Sequence, residues 1–114
     1  MTRDGVDIPR GRMSVREREL RSALNRLLSG QGIVHGTLLE RQRVCGKPNC
    51  RCVRGEGHVS LYLVVSEAGQ SRQLYVPRDW EPTVREWIAN YGKARRMMDD
   101  LSGLHWEKVR QRER

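Results

Sequence analysis

Val59-Ser60-Leu61-Tyr62-Leu63-Val64-Val65, followed by Ser66-Glu67-Ala68-Gly69-Gln70 and then Arg72-Gln73-Leu74-Tyr75-Val76-Pro77, is the most strongly patterned stretch of the chain. Val59, Leu61, Leu63 and Val65 alternate, and a period of two places them on one face of a strand. The segment around Gly69 supplies the glycine that a tight hairpin turn uses. Arg72 to Val76 returns as the partner strand, and Pro77 ends it because proline has no N–H for the ladder. Upstream, Gly36-Thr37-Leu38-Leu39-Glu40-Arg41-Gln42-Arg43-Val44 alternates as well. It sets Thr37, Leu39, Arg41 and Arg43 on one side and Leu38, Glu40, Gln42 and Val44 on the other. Neither side is cleanly apolar, which suits a strand at a sheet edge.

On both flanks the period lengthens. Leu20, Ala23, Leu24, Leu27 and Leu28 follow the spacing of an amphipathic helix. Ser14 reads as its N-cap, Glu17 completes a capping box, and Gly30 and Gly32 supply the stop. Beyond the sheet, Asp79 is the expected cap of a long helix whose Val84, Trp87, Ile88, Tyr91, Met98 and Leu101 share a stripe. Gly92 is its weak point, and Gly103 is a candidate break ahead of Leu104, Trp106 and Val109. The expected fold is therefore α+β: an N-terminal helix, a small three-stranded antiparallel sheet with a Cys-rich knuckle, and a long C-terminal helix. By residue these are a flexible basic arm over 1–13, the first helix over 14–30, the sheet and knuckle over 33–78 and the helical segment over 79–110, in a single domain. The last stripe is longer than three strands can cover, so part of it is expected to pack on the first helix or on a second copy of the chain.

The 114 residues carry 22 Lys+Arg against 14 Asp+Glu, a formal net charge of +8. With 37% hydrophobic residues the chain can build a core, but a small one that a metal or a partner would usefully reinforce. Most of the positive excess precedes residue 55. Such a charge points to nucleic acid first, then to an acidic protein or an anionic membrane surface; a merely solubilising basic surface is the plain alternative. No apolar run approaches the ~18 residues of a membrane span. Met1 to Arg12 has no apolar stretch of a secretory signal, so the reading is cytoplasmic, with reduced thiols.

All three cysteines fall in Cys45-Gly46-Lys47-Pro48-Asn49-Cys50-Arg51-Cys52, and His58 follows in Gly55-Glu56-Gly57-His58. Three thiolates and one imidazole, separated by turn-forming residues, are a ligand set for tetrahedral Zn²⁺. The expected ligands are Cys45, Cys50, Cys52 and His58, with His35 the alternative imidazole and His105 too distant in sequence. Lys47, Arg51 and Arg54 would offset the net negative charge of such a site and favour the thiolates. A disulfide framework conflicts with the reduced compartment and strands one thiol. A metal-free turn and a redox Cys-x-Cys pair are the other readings. A closed Cys₃His set leaves no open metal position, Asp99, Asp100 and Glu107 read as solvated, and no phosphate loop or Ser/His/Asp arrangement is present; the expectation is that the chain is not an enzyme.

Gly36-Thr37-Leu38-Leu39-Glu40-Arg41, the cysteine stretch, Gly57-His58, Leu61-Tyr62-Leu63, Leu74-Tyr75-Val76-Pro77 and Val84-Arg85-Glu86-Trp87-Ile88-Ala89-Asn90-Tyr91 together resemble an uncharacterised family of small bacterial and phage proteins with a Cys-Gly-Lys-Pro-x-Cys-x-Cys signature. The resemblance spans about residues 36–104 and implies association with mobile elements, without an established activity. Val59-Ser60-Leu61 departs from the Gly-Pro-Tyr-Tyr usual there, which removes aromatic surface. The order of three strands and a helix is also similar to the arm-type DNA-binding domains of tyrosine integrases, a likeness of fold only.

Two functions follow as expectations. The leading one is a zinc-stabilised nucleic-acid-binding module, for DNA, in which Arg41, Arg43, Lys47, Arg51, Arg54 and Arg72 meet phosphates and the Arg3–Arg12 arm adds unspecific contact. The alternative is a zinc-stabilised adaptor without nucleic acid, engaging a protein partner or a second copy through Trp87, Tyr91 and Met98 of the C-terminal helix. A membrane partner is not expected.

Overall fold

A computed structural model of the chain describes residues 12–43 and 58–112, with the side chains of Arg43 and His58 excepted. In order, the elements are α1 (Val15–Gly30), β1 (Thr37–Arg43), β2 (His58–Glu67), β3 (Gln70–Val76), a 3₁₀ turn (Arg78–Trp80) and α2 (Glu81–Arg112). The fold is α+β, with the helix, the antiparallel sheet and the long helix in the expected order. None of the described helices is long and apolar enough to cross a membrane.

The sheet has the order β1-β2-β3, with both pairs antiparallel, so β1 lies at an edge as its mixed faces suggested. Between Glu67 and Gln70 the chain reverses through Ala68 (φ 51°) and Gly69 (φ 78°). Two central residues with positive φ are what a type I′ hairpin turn requires, and that turn follows the right-handed twist of its strands. Residues paired across an antiparallel ladder share a face. Leu38 and Glu40 therefore lie with Leu63 and Leu61 of β2, and these with Leu74 and Val76 of β3. This is the inner face. Its core is Leu61, Val76 and Val84, with Leu38, Leu63 and Ile88 packed around them. Val84 and Ile88 come from the first turns of α2, so the start of that helix covers the inner face.

The connector into β1 is tied to the same helix. Val34 donates its N–H to the carbonyl of Trp87 at 3.1 Å, and the buried Asn90 donates Nδ2 to the carbonyl of Gly32 at 3.0 Å. Trp87 meets Trp80 edge-on, with centroids 5.9 Å apart, and His35 stacks on Tyr91 at 4.5 Å. Gly32–Tyr91 forms one compact unit by these contacts.

A second unit consists of α1 with α2 from Gly92 onward. Here Leu20 and Ala94 are the buried apolar residues. Ser14 caps α1 as expected, its Oγ accepting from the N–H of Glu17 at 3.1 Å. The reciprocal half of the capping box is replaced. The Glu17 carboxylate is buried and accepts from Arg21 Nε at 2.9 Å and Lys108 Nζ at 3.4 Å, with His105 Nε2 at 3.3 Å. Three cationic or polar donors outbid one backbone N–H, because a buried carboxylate is stable only when well paired. The expected cap Asp79 lies inside the 3₁₀ turn instead, where Trp80 N–H bonds the Pro77 carbonyl at 2.9 Å. Gly103 does not interrupt α2, since one glycine costs only about 1 kcal/mol relative to alanine in a helix interior.

Candidate nucleic-acid interface

The other face of the sheet carries Thr37, Leu39 and Arg41 of β1, Ser60, Tyr62 and Val64 of β2, and Gln73 and Tyr75 of β3. Thr37, Leu39, Arg41, Gln73 and Tyr75 are exposed, and the β2 residues between them are half-buried. This outward face has an aromatic centre. Tyr62 and Tyr75 are direct cross-strand partners, with ring centroids 6.1 Å apart and planes at 73°, the edge-to-face arrangement that aromatic quadrupoles favour. The Arg41 guanidinium carbon lies 5.7 Å from the centroid of the Tyr62 ring, within cation–π range. Arg41 faces Ser60 in register and Tyr62 faces Leu39, so the Arg41–Tyr62 contact is the diagonal that long side chains reach across a ladder.

The other arginines described on this unit are paired with acids. Arg72 pairs with Glu67 at 3.1 Å, and it stands opposite Val65, on the inner-face side of the sheet. Arg78 bridges Glu40 at 3.7 Å and Glu81 at 3.1 Å, and Arg85 meets Glu81 at 2.8 Å. Hydrogen bonds from Arg85 and Arg78 hold the Glu81 carboxyl below its ordinary range. Among the described residues Arg41 has no acidic partner. Of the six cations expected to meet phosphate, the structure thus sets Arg41 on the outward face and Arg72 on the other. The side chain of Arg43, and all of Lys47, Arg51 and Arg54, lie outside the described residues.

The expected metal ligands Cys45, Cys50 and Cys52 also lie outside the described residues, as does the His58 side chain. The backbone nevertheless places the residues on either side of that stretch: Arg43 and His58 are paired across β1 and β2. His35, the alternative imidazole, precedes the opposite end of the 7-residue β1, roughly 20 Å away at ~3.3 Å per residue. It is stacked on Tyr91, and His105 is engaged by Glu17. Among the described residues no group of three or more His, Cys, Asp or Glu side chains could hold a metal ion.

Tyr62 and Tyr75 are the residues that sequence reasoning undervalued. Their signal was present in the alternation: if Leu61 and Leu63 face inward, Tyr62 faces outward, and Tyr75 does the same between Leu74 and Val76. What alternation could not supply was their pairing, which depends on the register of β2 with β3.

The family described as Domain of unknown function (DUF6788) matches residues 12–86, and the chain belongs to it. The matched span holds α1, all three strands and α2 as far as Glu86. No curated protein and no solved structure matches the chain.

Proposed function

We propose that this member of the DUF6788 family is a small basic nucleic-acid-binding protein, zinc-stabilised and acting on DNA. The observation that carries the reading is the position of Arg41. It stands on an exposed sheet face beside aromatic rings, without an acidic partner among the described residues, on the strand that precedes Lys47, Arg51 and Arg54 in sequence. A phosphate backbone is the common anionic ligand for cations so grouped in sequence, and the formal net charge of +8 favours it at long range.

Zinc enters through Cys45, Cys50, Cys52 and His58. The pairing of Arg43 with His58 supports a shared site, because it anchors the last ligand beside the chain segment that leads to the first. Bound there with four protein ligands, the ion would supply rigidity, not reactivity. The resemblance to bacterial and phage proteins supports an association with mobile elements, and reduced thiols able to hold zinc fit a cytoplasmic setting. Arg72, paired with Glu67, is left out of the proposed surface.

Titration of labelled DNA at several salt concentrations tests the reading. Phosphate contact predicts a linear fall of log K with log salt, at roughly 0.9 per neutralised phosphate on duplex or 0.7 on single strands. Arg41→Glu is expected to weaken binding and flatten the slope. Affinity that ignores both salt and this charge reversal removes the interface.

The adaptor reading keeps one supporting observation. Trp87 and Tyr91 are committed within their own unit, but Met98, Trp106 and Val109 stand 51%, 72% and 57% exposed along α2. Substituting Trp106→Glu separates the two: it abolishes a protein contact through this helix and leaves DNA affinity intact.

A further inference from the structure

We infer that the outward sheet face is a stacking platform for unpaired bases, so that the ligand is single-stranded nucleic acid; the inference rests on the nucleic-acid reading above and narrows it. A duplex offers a protein its phosphates and its base edges, while the flat faces of its bases are buried in the stack. A surface that reads a duplex therefore needs hydrogen-bonding groups aimed at those edges. The centre of this face is instead Tyr62, Tyr75 and Leu39, with Arg41 against the first ring. Aromatic faces recognise what only an unpaired strand can present, a base with its π-surface open.

The ring geometry provides for one base: the Tyr62 and Tyr75 planes stand at 73°, so the two rings do not form one continuous stacking surface. Exposure distributes the roles. Tyr75 is 57% exposed and has the area to take a base, whereas Tyr62 is half-buried and supports Arg41. The guanidinium on Tyr62 is planar and charged, so it can meet a phosphate while its own plane adds to the stacking surface. Tyr75 is thus an exposed ring set beside the one that carries Arg41, a cation with no acidic partner among the described residues.

The test uses the full chain with fluorescein-labelled oligothymidylate, alone and annealed to oligoadenylate, read by fluorescence anisotropy. The expected result is single-strand affinity at least about tenfold above duplex. Tyr75→Ala should weaken single-strand binding by roughly 5- to 150-fold, the loss of one stacked base. Tyr75→Phe should bind like the parent, since the ring face is kept. Tyr75→Ile, a good strand former without a π-face, should fail like alanine and decides the matter should the alanine variant not fold. Equal binding of single strand and duplex, or unchanged affinity in folded Tyr75→Ala and Tyr75→Ile, overturns the platform while leaving phosphate-driven binding in place. Binding of neither probe overturns both.

Discussion

The indole of Trp87 fills the space that a side chain at residue 32 would need, for a Cβ built on Gly32 overlaps its ring atoms. Around that contact the connector into β1 is fastened by the Trp87 carbonyl and by the Asn90 amide. Gly32 is therefore required for close approach, not for its backbone angles. Gly32→Ala should destabilise by about 1–3 kcal/mol, the usual effect of overpacking. Gly30, with nothing within 4 Å of its own Cβ position, is the control: Gly30→Ala should be neutral or stabilise by up to about 1 kcal/mol. Urea denaturation midpoints of the two variants check the contrast, and equal losses would mean that Trp87 is free to move aside.

The hairpin turn holds a suboptimal residue. Ala68 adopts φ 51°, a conformation in which its Cβ is crowded and which asparagine tolerates better. Ala68→Asn should stabilise by about 0.5–1 kcal/mol, and Gly69→Ala, at φ 78°, should destabilise by about 1–2 kcal/mol. Thermal melts of both variants measure the difference, whose sign should be opposite in the two.

Burial by itself would raise the Glu17 carboxyl, but hydrogen bonds from Arg21, His105 and Lys108 draw it further the other way, so that it lies below its ordinary value. A carboxyl held low in the folded state adds stability that is complete above its unfolded value, about 4.3, and is lost as pH falls through the folded one. Melting temperature should therefore fall on acidification below about pH 4.3 through this group. Glu17→Gln should lose about 1–3 kcal/mol at neutral pH, since the charge-assisted bonds weaken, and should show a shallower acid limb. Parallel acid limbs in parent and variant would assign the acid sensitivity to other carboxylates.

Removal of metal tests the proposed Cys₃His site directly. Protein purified under reducing conditions should contain stoichiometric zinc, and a chelator should lower its melting temperature, because structural zinc binding is coupled to folding. Cys50→Ser should reproduce the chelated state and respond no further to chelator. Metal analysis that finds no zinc in the reduced parent protein would eliminate the site and leave the cationic sheet face to act alone.

The faces of the sheet were readable from residue order. Leu61 and Leu63 inward with Tyr62 outward, and Leu38 and Glu40 apart from Leu39 and Arg41, all follow from a side-chain period of two, and the observed register preserves that division. The hairpin at Gly69 was readable for the same local reason. Asp79 was misassigned because a cap competes with the turn that Pro77 starts, and the helix begins only after that turn closes through Trp80.

What residue order determined by itself, then, is each local choice: two amphipathic helices, three alternating strands, a tight turn, and a cysteine cluster set between the first two strands. These depend on near neighbours, whose spacing is printed in the chain. Folding alone decided which distant groups meet. Glu17 was a plausible capping residue until His105 and Lys108, 88 and 91 positions away, were brought to its carboxylate. Alternation already divided Arg41 from Arg72 between the two faces, but only folding brought Arg41 to the Tyr62 ring across the strands. Charge and hydrophobicity belong to a residue, but its partner is a property of the packed chain.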